Sequence, residues 1–185
     1  MTNYKGTLEF YDSYLKLQEI KRAGWVMRNV PAERIESVAD HTLQIIMLAI
    51  TLCYELDLDF DISKLAQMSF ISELGEIIIG DIPEVDPDCS EKKKLEKEAV
   101  KKVLSPLSGK VRDEYLNLWI EMEERKTPLA KFVYQVDKID AILKAKKYSN
   151  DYNMQELFEE FYNHQVAEGT FEQGALKEMF EYLKR

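Results

Sequence analysis

The sequence has few of the residues that interrupt regular structure or build metal and disulfide frameworks. Its 185 residues include 7 glycines, 5 prolines, 2 cysteines and 2 histidines. The cysteines, Cys53 and Cys89, have neither the spacing of a metal motif nor that of a disulfide framework, which is typical of a protein from the reducing cytosol. Because His41 and His164 are the two histidines, a histidine-rich metal site is excluded.

Further absences narrow the range of partners. No apolar run approaches the roughly 18 to 20 residues that a membrane-spanning helix needs, and the N-terminus lacks the basic-then-apolar pattern of a signal peptide. The net charge of −9 argues against nucleic acid or an anionic membrane as the main partner. A small phosphorylated ligand stays compatible, because the potential inside a pocket can oppose the sign of the whole molecule. We therefore expect a cytoplasmic protein.

Long segments with apolar residues at helical spacing fill most of the chain. Hydrophobic residues make up 45% of the sequence and charged residues 32%, as in ordinary globular proteins. No segment shows the alternation of a strand. We predict one all-α domain over residues 1–185, a bundle of about seven or eight helices. Its C-terminal helices, within residues 153–185 and broken at Gly169 and Gly174, pack on the rest.

Local signals predict several helix boundaries. Gly24 is expected to stop the first helix, and Ser37 is expected to cap the second. Thr127 followed by Pro128 indicates a cap and a first helical position. The predicted helices that matter below are residues 8–23, 37–56, 63–79 with Asp61 or Ser63 as the cap, and 127–148.

The apolar segment from Ser69 to Pro83 carries two glutamates where a core is expected. On a continuous helix, Glu73 and Glu76 would share a face. Ionised carboxylates are almost never buried without a cation or a set of donors. The segment therefore predicts a positive partner, which is an arginine, a lysine or a metal ion. A structural salt bridge and a functional site both remain open.

His41 and Asp137 lie on the inner faces of two other predicted helices. A lone histidine on an apolar face is more often a hydrogen-bonded core residue than a ligand. A helix bundle can nevertheless bring such side chains together at its centre, and histidine with carboxylates is a plausible ligand set for a divalent cation. Three separate helices impose no sequence signature, so both interpretations stay open.

Three motifs resemble those of the HD-domain superfamily. They are Glu36-Ser-Val-Ala-Asp-His41-Thr, Glu76-Ile-Ile-Ile-Gly-Asp81-Ile and Phe132-Val-Tyr-Gln-Val-Asp137-Lys. Residues 21–25 and 118–130 narrow the resemblance to the 5'-deoxynucleotidase branch, and it covers about residues 14–148. The resemblance implies an all-helical, usually dimeric enzyme. Such enzymes hydrolyse deoxynucleoside 5'-monophosphates to a nucleoside and phosphate with a divalent metal such as cobalt or manganese.

The sequence departs from that family at the His-Asp pair, which falls at Ser72-Glu73. The resemblance then leaves His41, Glu73 and Asp137 as metal ligands, with Ser72 at the position of the lost histidine. A serine hydroxyl is a poorer ligand than imidazole. The remaining oxygen-rich set shifts preference from softer metals toward manganese or magnesium. We expect a divalent metal (manganese, cobalt or magnesium) to be bound weakly or not at all.

The resemblance also implies roles for four other residues. Arg22 matches the arginine that orients the phosphate, and Glu76 matches a glutamate needed for activity, so both are candidate catalytic residues. Trp25 and Asp81 match positions that line the sugar pocket. The alternatives are structural, because Arg22 could simply pair with Glu76 and Trp25 could be a core residue.

Two functions follow from these patterns. The first is a metal-dependent phosphohydrolase acting on (deoxy)nucleoside 5'-monophosphates. The second is an inactive protein of the same fold that binds a nucleotide or a partner. Retention of Arg22, Glu76, Asp81 and Asp137 favours the enzyme, whereas loss of the His-Asp pair favours the binding protein.

Overall fold

The computed structural model describes residues 3–83 and 89–185, with side chains at 3–83, 94–154 and 156–185. The fold is all-α, as predicted. Seven helices in the described residues have ten or more residues, and three others are shorter. The helices are α1 (Tyr4–Leu15), α2 (Ala23–Met27), α3 (Val38–Glu55), α4 (Ile62–Ile71), α5 (Glu76–Ile79), α6 (Cys89–Leu104), α7 (Gly109–Glu124), α8 (Pro128–Tyr152), α9 (Gln155–Ala167) and α10 (Lys177–Tyr182).

The chain forms two compact units. The first unit comprises residues 1–43 and 70–120, and the second comprises residues 44–69 and 121–185. The organisation as a single domain stays a prediction. Among the described residues, no helix combines the length and the apolar character that crossing a membrane requires.

In the first unit, α1 packs closely against the chain that follows α6. Asn3 caps α1, because its Oδ1 accepts from the backbone N–H of Gly6 (3.0 Å) while its Nδ2 donates to the carbonyl oxygen of Pro106 (2.8 Å). A Cβ atom at position 6 would lie 1.9 Å from that same carbonyl oxygen. Only glycine permits this approach. The aromatic rings of Tyr14 and Phe70 add to the packing, with centroids 4.8 Å apart.

The predicted helix over residues 8–23 is wrong beyond its first half. After α1, one 3₁₀ turn (Lys16–Gln18) follows, and Lys21 then forms an antiparallel bridge with Ser37. The backbone N–H of Arg22 donates to the carbonyl oxygen of Glu36 (3.1 Å). This bridge takes the backbone groups that a continuing helix would use. Gly24 therefore lies inside the short helix α2 instead of ending a helix.

Helix α3 begins as predicted. The Oγ of Ser37 accepts from the backbone N–H of Asp40 (3.1 Å), and the carboxylate of Asp40 accepts from the backbone N–H of Ser37 (2.9 Å). This reciprocal arrangement is a capping box with aspartate in the third helical position. Since Ser37 also forms the bridge with Lys21, the start of α3 and the start of α2 are fixed to each other.

The predicted helix over residues 63–79 is interrupted. Asp61 does cap α4 by accepting from the backbone N–H of Ser63 (2.8 Å), but α4 ends at Ile71 and residues 72–75 form a turn. The backbone N–H of Glu76 donates to the carbonyl oxygen of Glu73 (3.1 Å), a tight three-residue bond. A Cβ atom at Gly75 would lie 3.1 Å from the side chain of Glu96 in α6. Glu73 therefore lies in the turn and Glu76 begins α5, instead of sharing one continuous helix.

In the second unit, α8 starts and α9 ends where the sequence predicts. The Oγ1 of Thr127 accepts from the backbone N–H of Ala130 (3.2 Å), with Pro128 in the first turn. The helix runs to Tyr152, past the predicted end at 148. Gly169 and Gly174 have positive φ angles of 65° and 107° and lie between α9 and α10, as expected of the predicted breaks.

Candidate active site

Arg22 and Asp81 meet at the start of α2. The Nε of Arg22 lies 3.8 Å from Oδ2 of Asp81, and the two side chains are 19% and 7% exposed. The same Oδ2 accepts from the backbone N–H of Ala23 (2.7 Å). Asp81 therefore holds the N-terminus of α2 and lies beside the arginine. The partly exposed guanidinium remains close enough to the surface to contact a ligand.

Trp25 and Glu36 form a buried pair. Trp25 is 2% exposed and Glu36 is 7% exposed, and the indole Nε1–H of Trp25 donates to Oε1 of Glu36 (2.9 Å). This burial favours the core interpretation of Trp25, which offers little surface to a ligand. The carboxylate of Glu36 was not predicted as a site residue, although its position in the first motif is a signal that could have identified it.

His41 and Glu73 come together within the first unit. His41 is fully buried and Glu73 is half-buried, and a ring nitrogen of the first lies within 4.8 Å of a carboxylate oxygen of the second. Two donors bound to one ion at about 2.1 Å each lie no more than about 4.2 Å apart. Small side-chain adjustments therefore suffice, and this nitrogen–oxygen pair fits a divalent metal ion.

Glu76 is almost completely buried at the first position of α5. Its exposed fraction is 2%, and its main chain is held at both ends, through the N–H to Glu73 and through the carbonyl oxygen to Gly80 (2.9 Å). The carboxylate of Glu76 is therefore kept from bulk water.

The sequence profile described as "HD domain" matches residues 15–177. The chain belongs to the HD domain family. The 5'-deoxynucleotidase HDDC2 of Dictyostelium discoideum is 37% identical over 154 residues, which are 80% of this chain and 78% of that protein. The human 5'-deoxynucleotidase HDDC2 is 31% identical over 160 residues, or 86% of this chain and 76% of the human protein. The resemblance inferred from the three motifs is thus confirmed.

Solved structures show the same HD-domain fold. A conserved hypothetical protein from Pyrococcus furiosus matches with a TM-score of 0.74 and 28% identity, covering 96% of this chain and 99% of that one. A predicted metal-dependent phosphohydrolase from Magnetospirillum magnetotacticum matches with a TM-score of 0.66 and 26% identity, over 77% of this chain and 72% of that one.

In this HD domain, the pKa of Tyr14 is shifted by the surroundings of its phenol. Burial, and after it the negative charge of Glu73, raises the pKa of the Tyr14 phenol. Tyr14 therefore stays neutral over the physiological pH range. Its hydroxyl was not predicted to lie near the site, because α1 carries no motif of the family.

The remaining predicted ligand, Asp137, belongs to the second unit. It lies on α8, half-buried, with Oδ2 3.1 Å from the Nζ of Lys138. One turn further along α8, Asp140 is 6% exposed, so the inward face of this helix carries two carboxylates. The role of Asp137 as a ligand stays a prediction, as do the roles of the other site residues.

Proposed function

We propose that the protein is a metal-dependent phosphohydrolase that converts (deoxy)nucleoside 5'-monophosphates to a nucleoside and phosphate. The observation that carries this proposal is the proximity of His41 and Glu73 in the first unit. The same unit contains the partly exposed Arg22 and the buried Glu76. The relatives named 5'-deoxynucleotidase support the choice of substrate.

Arg22 binds the phosphate in this proposal. Its guanidinium presents a planar set of donors that matches phosphate oxygens. The Arg22 side chain is 19% exposed, with its Nε 3.8 Å from Oδ2 of Asp81, so part of the guanidinium lies where a phosphate can approach it. Asp81 Oδ2 remains bonded to the backbone N–H of Ala23, which leaves Oδ1 to accept from a sugar hydroxyl. Because Trp25 is buried, we assign it a supporting role behind the pocket instead of direct contact with the sugar.

Glu76 transfers a proton in this proposal. Hydrolysis breaks the bond between phosphorus and the 5'-oxygen and adds water, so one group must take a proton from water or give one to the leaving oxygen. A bound divalent ion lowers the pKa of water and offsets phosphate charge. His41, Glu73 and Asp137 are the residues that we propose hold it, with manganese or magnesium preferred over softer metals.

The same proposal covers the cellular location, the oligomeric state and the partners of the enzyme. We place it in the cytoplasm, in line with its cysteine usage, as a homodimer whose ligand is a nucleotide, with neither nucleic acid nor a membrane as its partner. The second candidate function is a non-catalytic nucleotide-binding protein. The observation that favours it is Ser72, which supplies a neutral hydroxyl where the family has an imidazole.

The test compares Arg22→Ala with the parent protein. Charge-assisted bonds to an anion contribute about 1.5–3 kcal/mol, so loss of Arg22 should weaken deoxynucleoside monophosphate binding by roughly 10-fold to 100-fold. Binding is measured as nucleotide-induced thermal stabilisation with and without manganese, and phosphate release is measured on the same samples. Arg34→Ala, which removes an exposed arginine from the same unit, is the matched control and should behave like the parent.

The outcomes separate the two functions. Phosphate release that needs manganese and falls in Arg22→Ala supports the enzyme. Nucleotide stabilisation that depends on Arg22, without any phosphate release, supports the binding protein. A parent that nucleotides do not stabilise, either with or without manganese, contradicts both.

A further inference from the structure

Glu36 connects the elements that carry Arg22 and Trp25. Its carbonyl oxygen accepts from the backbone N–H of Arg22 (3.1 Å), and its carboxylate oxygen Oε1 accepts from the indole N–H of Trp25 (2.9 Å). Because Glu36 is 7% exposed, its charge cannot be stabilised chiefly by water. A carboxylate in such surroundings persists only where protein groups stabilise it.

The same carboxylate lies beside His41. A carboxylate oxygen of Glu36 and a ring nitrogen of His41 are within 4.8 Å of each other, and His41 is fully buried. Both residues belong to the capped start of α3, where the bridge between Lys21 and Ser37 fixes the backbone. The backbone of Glu36 is therefore joined to the start of α2, and its side chain is held by Trp25.

The proximity of Glu36 to His41 matches the usual surroundings of a metal-binding histidine. A histidine that binds a metal through one ring nitrogen almost always donates its other ring N–H to a carboxylate or a carbonyl oxygen. That bond fixes the tautomer and the direction of the nitrogen that faces the ion. A carboxylate oxygen of Glu36 lies within 4.8 Å of a ring nitrogen of His41, so a small side-chain adjustment would bring it to hydrogen-bonding distance, and Oε1 of Glu36 already accepts from Trp25.

We propose that Glu36 is a positioning residue that orients His41 toward the metal and holds Trp25 with the same carboxylate. The inference rests on the proposed function, since it takes His41 as a metal ligand. It adds that the metal site and the support of the substrate pocket depend on one buried side chain. Weak metal binding caused by Ser72 is then countered in part by a well-oriented histidine.

The experiment uses Glu36→Gln and Glu36→Ala in the full chain, with manganese alone as the probe. Calorimetry measures manganese affinity, and proton–nitrogen spectra follow the two indole resonances, assigned with Trp119→Phe. An amide oxygen can still accept from Trp25, but it cannot match a carboxylate as the acceptor for an imidazole N–H. Glu33→Gln, which neutralises an exposed glutamate on the adjoining turn, is the matched control.

We expect Glu36→Gln to weaken manganese binding by roughly 10-fold to 100-fold, the usual effect of losing such a partner, while the Trp25 indole resonance stays near its parent position. Glu36→Ala should weaken manganese binding as much and shift that resonance. Glu33→Gln should leave both the manganese affinity and the resonance unchanged. If Glu36→Ala does not fold, the Gln variant still decides.

Three results would overturn the inference. Manganese affinity in Glu36→Gln equal to that of the parent would show that His41 does not depend on Glu36. A complete loss of manganese binding would make Glu36 a direct ligand rather than a positioning residue. A parent that binds no manganese contradicts the proposed metal site and this inference together, whereas the first two results contradict this inference alone.

Discussion

Ser72 and Glu73 stand in the turn between α4 and α5, where the family carries its histidine and aspartate. The backbone of this turn is held by hydrogen bonds between residues three positions apart, one of them from the N–H of Glu76 to the carbonyl oxygen of Glu73. Both side chains are half-buried. The backbone of the turn is therefore regular, and the difference from the family lies in the two side chains at positions 72 and 73.

The double substitution Ser72→His and Glu73→Asp should restore the metal site. An added imidazole supplies a ligand that a hydroxyl cannot replace, so we expect affinity for cobalt or manganese to rise by at least about tenfold. Calorimetry with each metal measures the change. Ser63→His, which adds a histidine at an exposed position of α4, controls for unspecific binding. Equal affinities in the double variant and the parent would mean that position 72 does not reach the metal.

A second residue-scale feature is the ion pair of the second unit between Lys64 and Glu121. The Nζ of Lys64 lies 2.8 Å from Oε2 of Glu121, and the hydroxyl of Thr127 donates to Oε1 (2.9 Å). The bond from Lys64, then the one from Thr127, lowers the pKa of Glu121 below its ordinary value of 4.5. The stabilisation is thus present above about pH 4.5 and is lost as the pH falls through the folded-state pKa.

Lys64→Met should lower the free energy of unfolding at pH 7, and this effect should disappear at acid pH, where Glu121 is protonated. Since the Lys64 and Glu121 side chains are 42% and 24% exposed, solvent screening limits the loss to about 0.5 kcal/mol. Urea unfolding at pH 7 and pH 3 measures it, and the difference between parent and variant should shrink at pH 3. Lys101→Met, which breaks the exposed pair with Glu98, should show a smaller effect. An equal loss at both pH values would refute the charge-based explanation.

At the scale of elements, the helix starts were predictable because their signals are local. Ser37 and Thr127 cap helices through backbone groups three residues away, and such short-range bonds can be predicted directly from the sequence. The breaks at Gly169 and Gly174 are equally local, because positive φ angles favour glycine. These elements needed no knowledge of the tertiary structure.

The two misplaced boundaries have long-range causes. Residues 19–22 leave the helix because Lys21 pairs with Ser37, and Gly75 is in the turn where Glu96 of α6 packs closely. Helical periodicity carries no information about either partner. The contact of Glu36 with Trp25 joins residues eleven positions apart and is likewise absent from the helical pattern, and the predicted roles of the other site residues stay predictions.

At the scale of the whole molecule, an acidic chain with a net charge of −9 carries an unusual apolar stripe. Tyr4, Leu8 and Tyr11 on α1 are 73%, 63% and 55% exposed, and their spacing puts them on one helical face. Adjacent exposed apolar side chains of this size are typical of a protein interface. The stripe is the surface that we assign to the proposed homodimer.

The oligomeric state tests this surface. If α1 forms the interface, the parent should have a solution mass of about twice 21.7 kDa by light scattering after gel filtration. Leu8→Glu should shift it to the monomer, because a charge in the middle of an apolar interface must lose its hydration without gaining a partner. Leu95→Glu introduces the same charge at an exposed position of α6 and should stay dimeric. A parent that is monomeric at all concentrations removes the dimer from the proposal, and a dimeric Leu8→Glu places its interface away from α1.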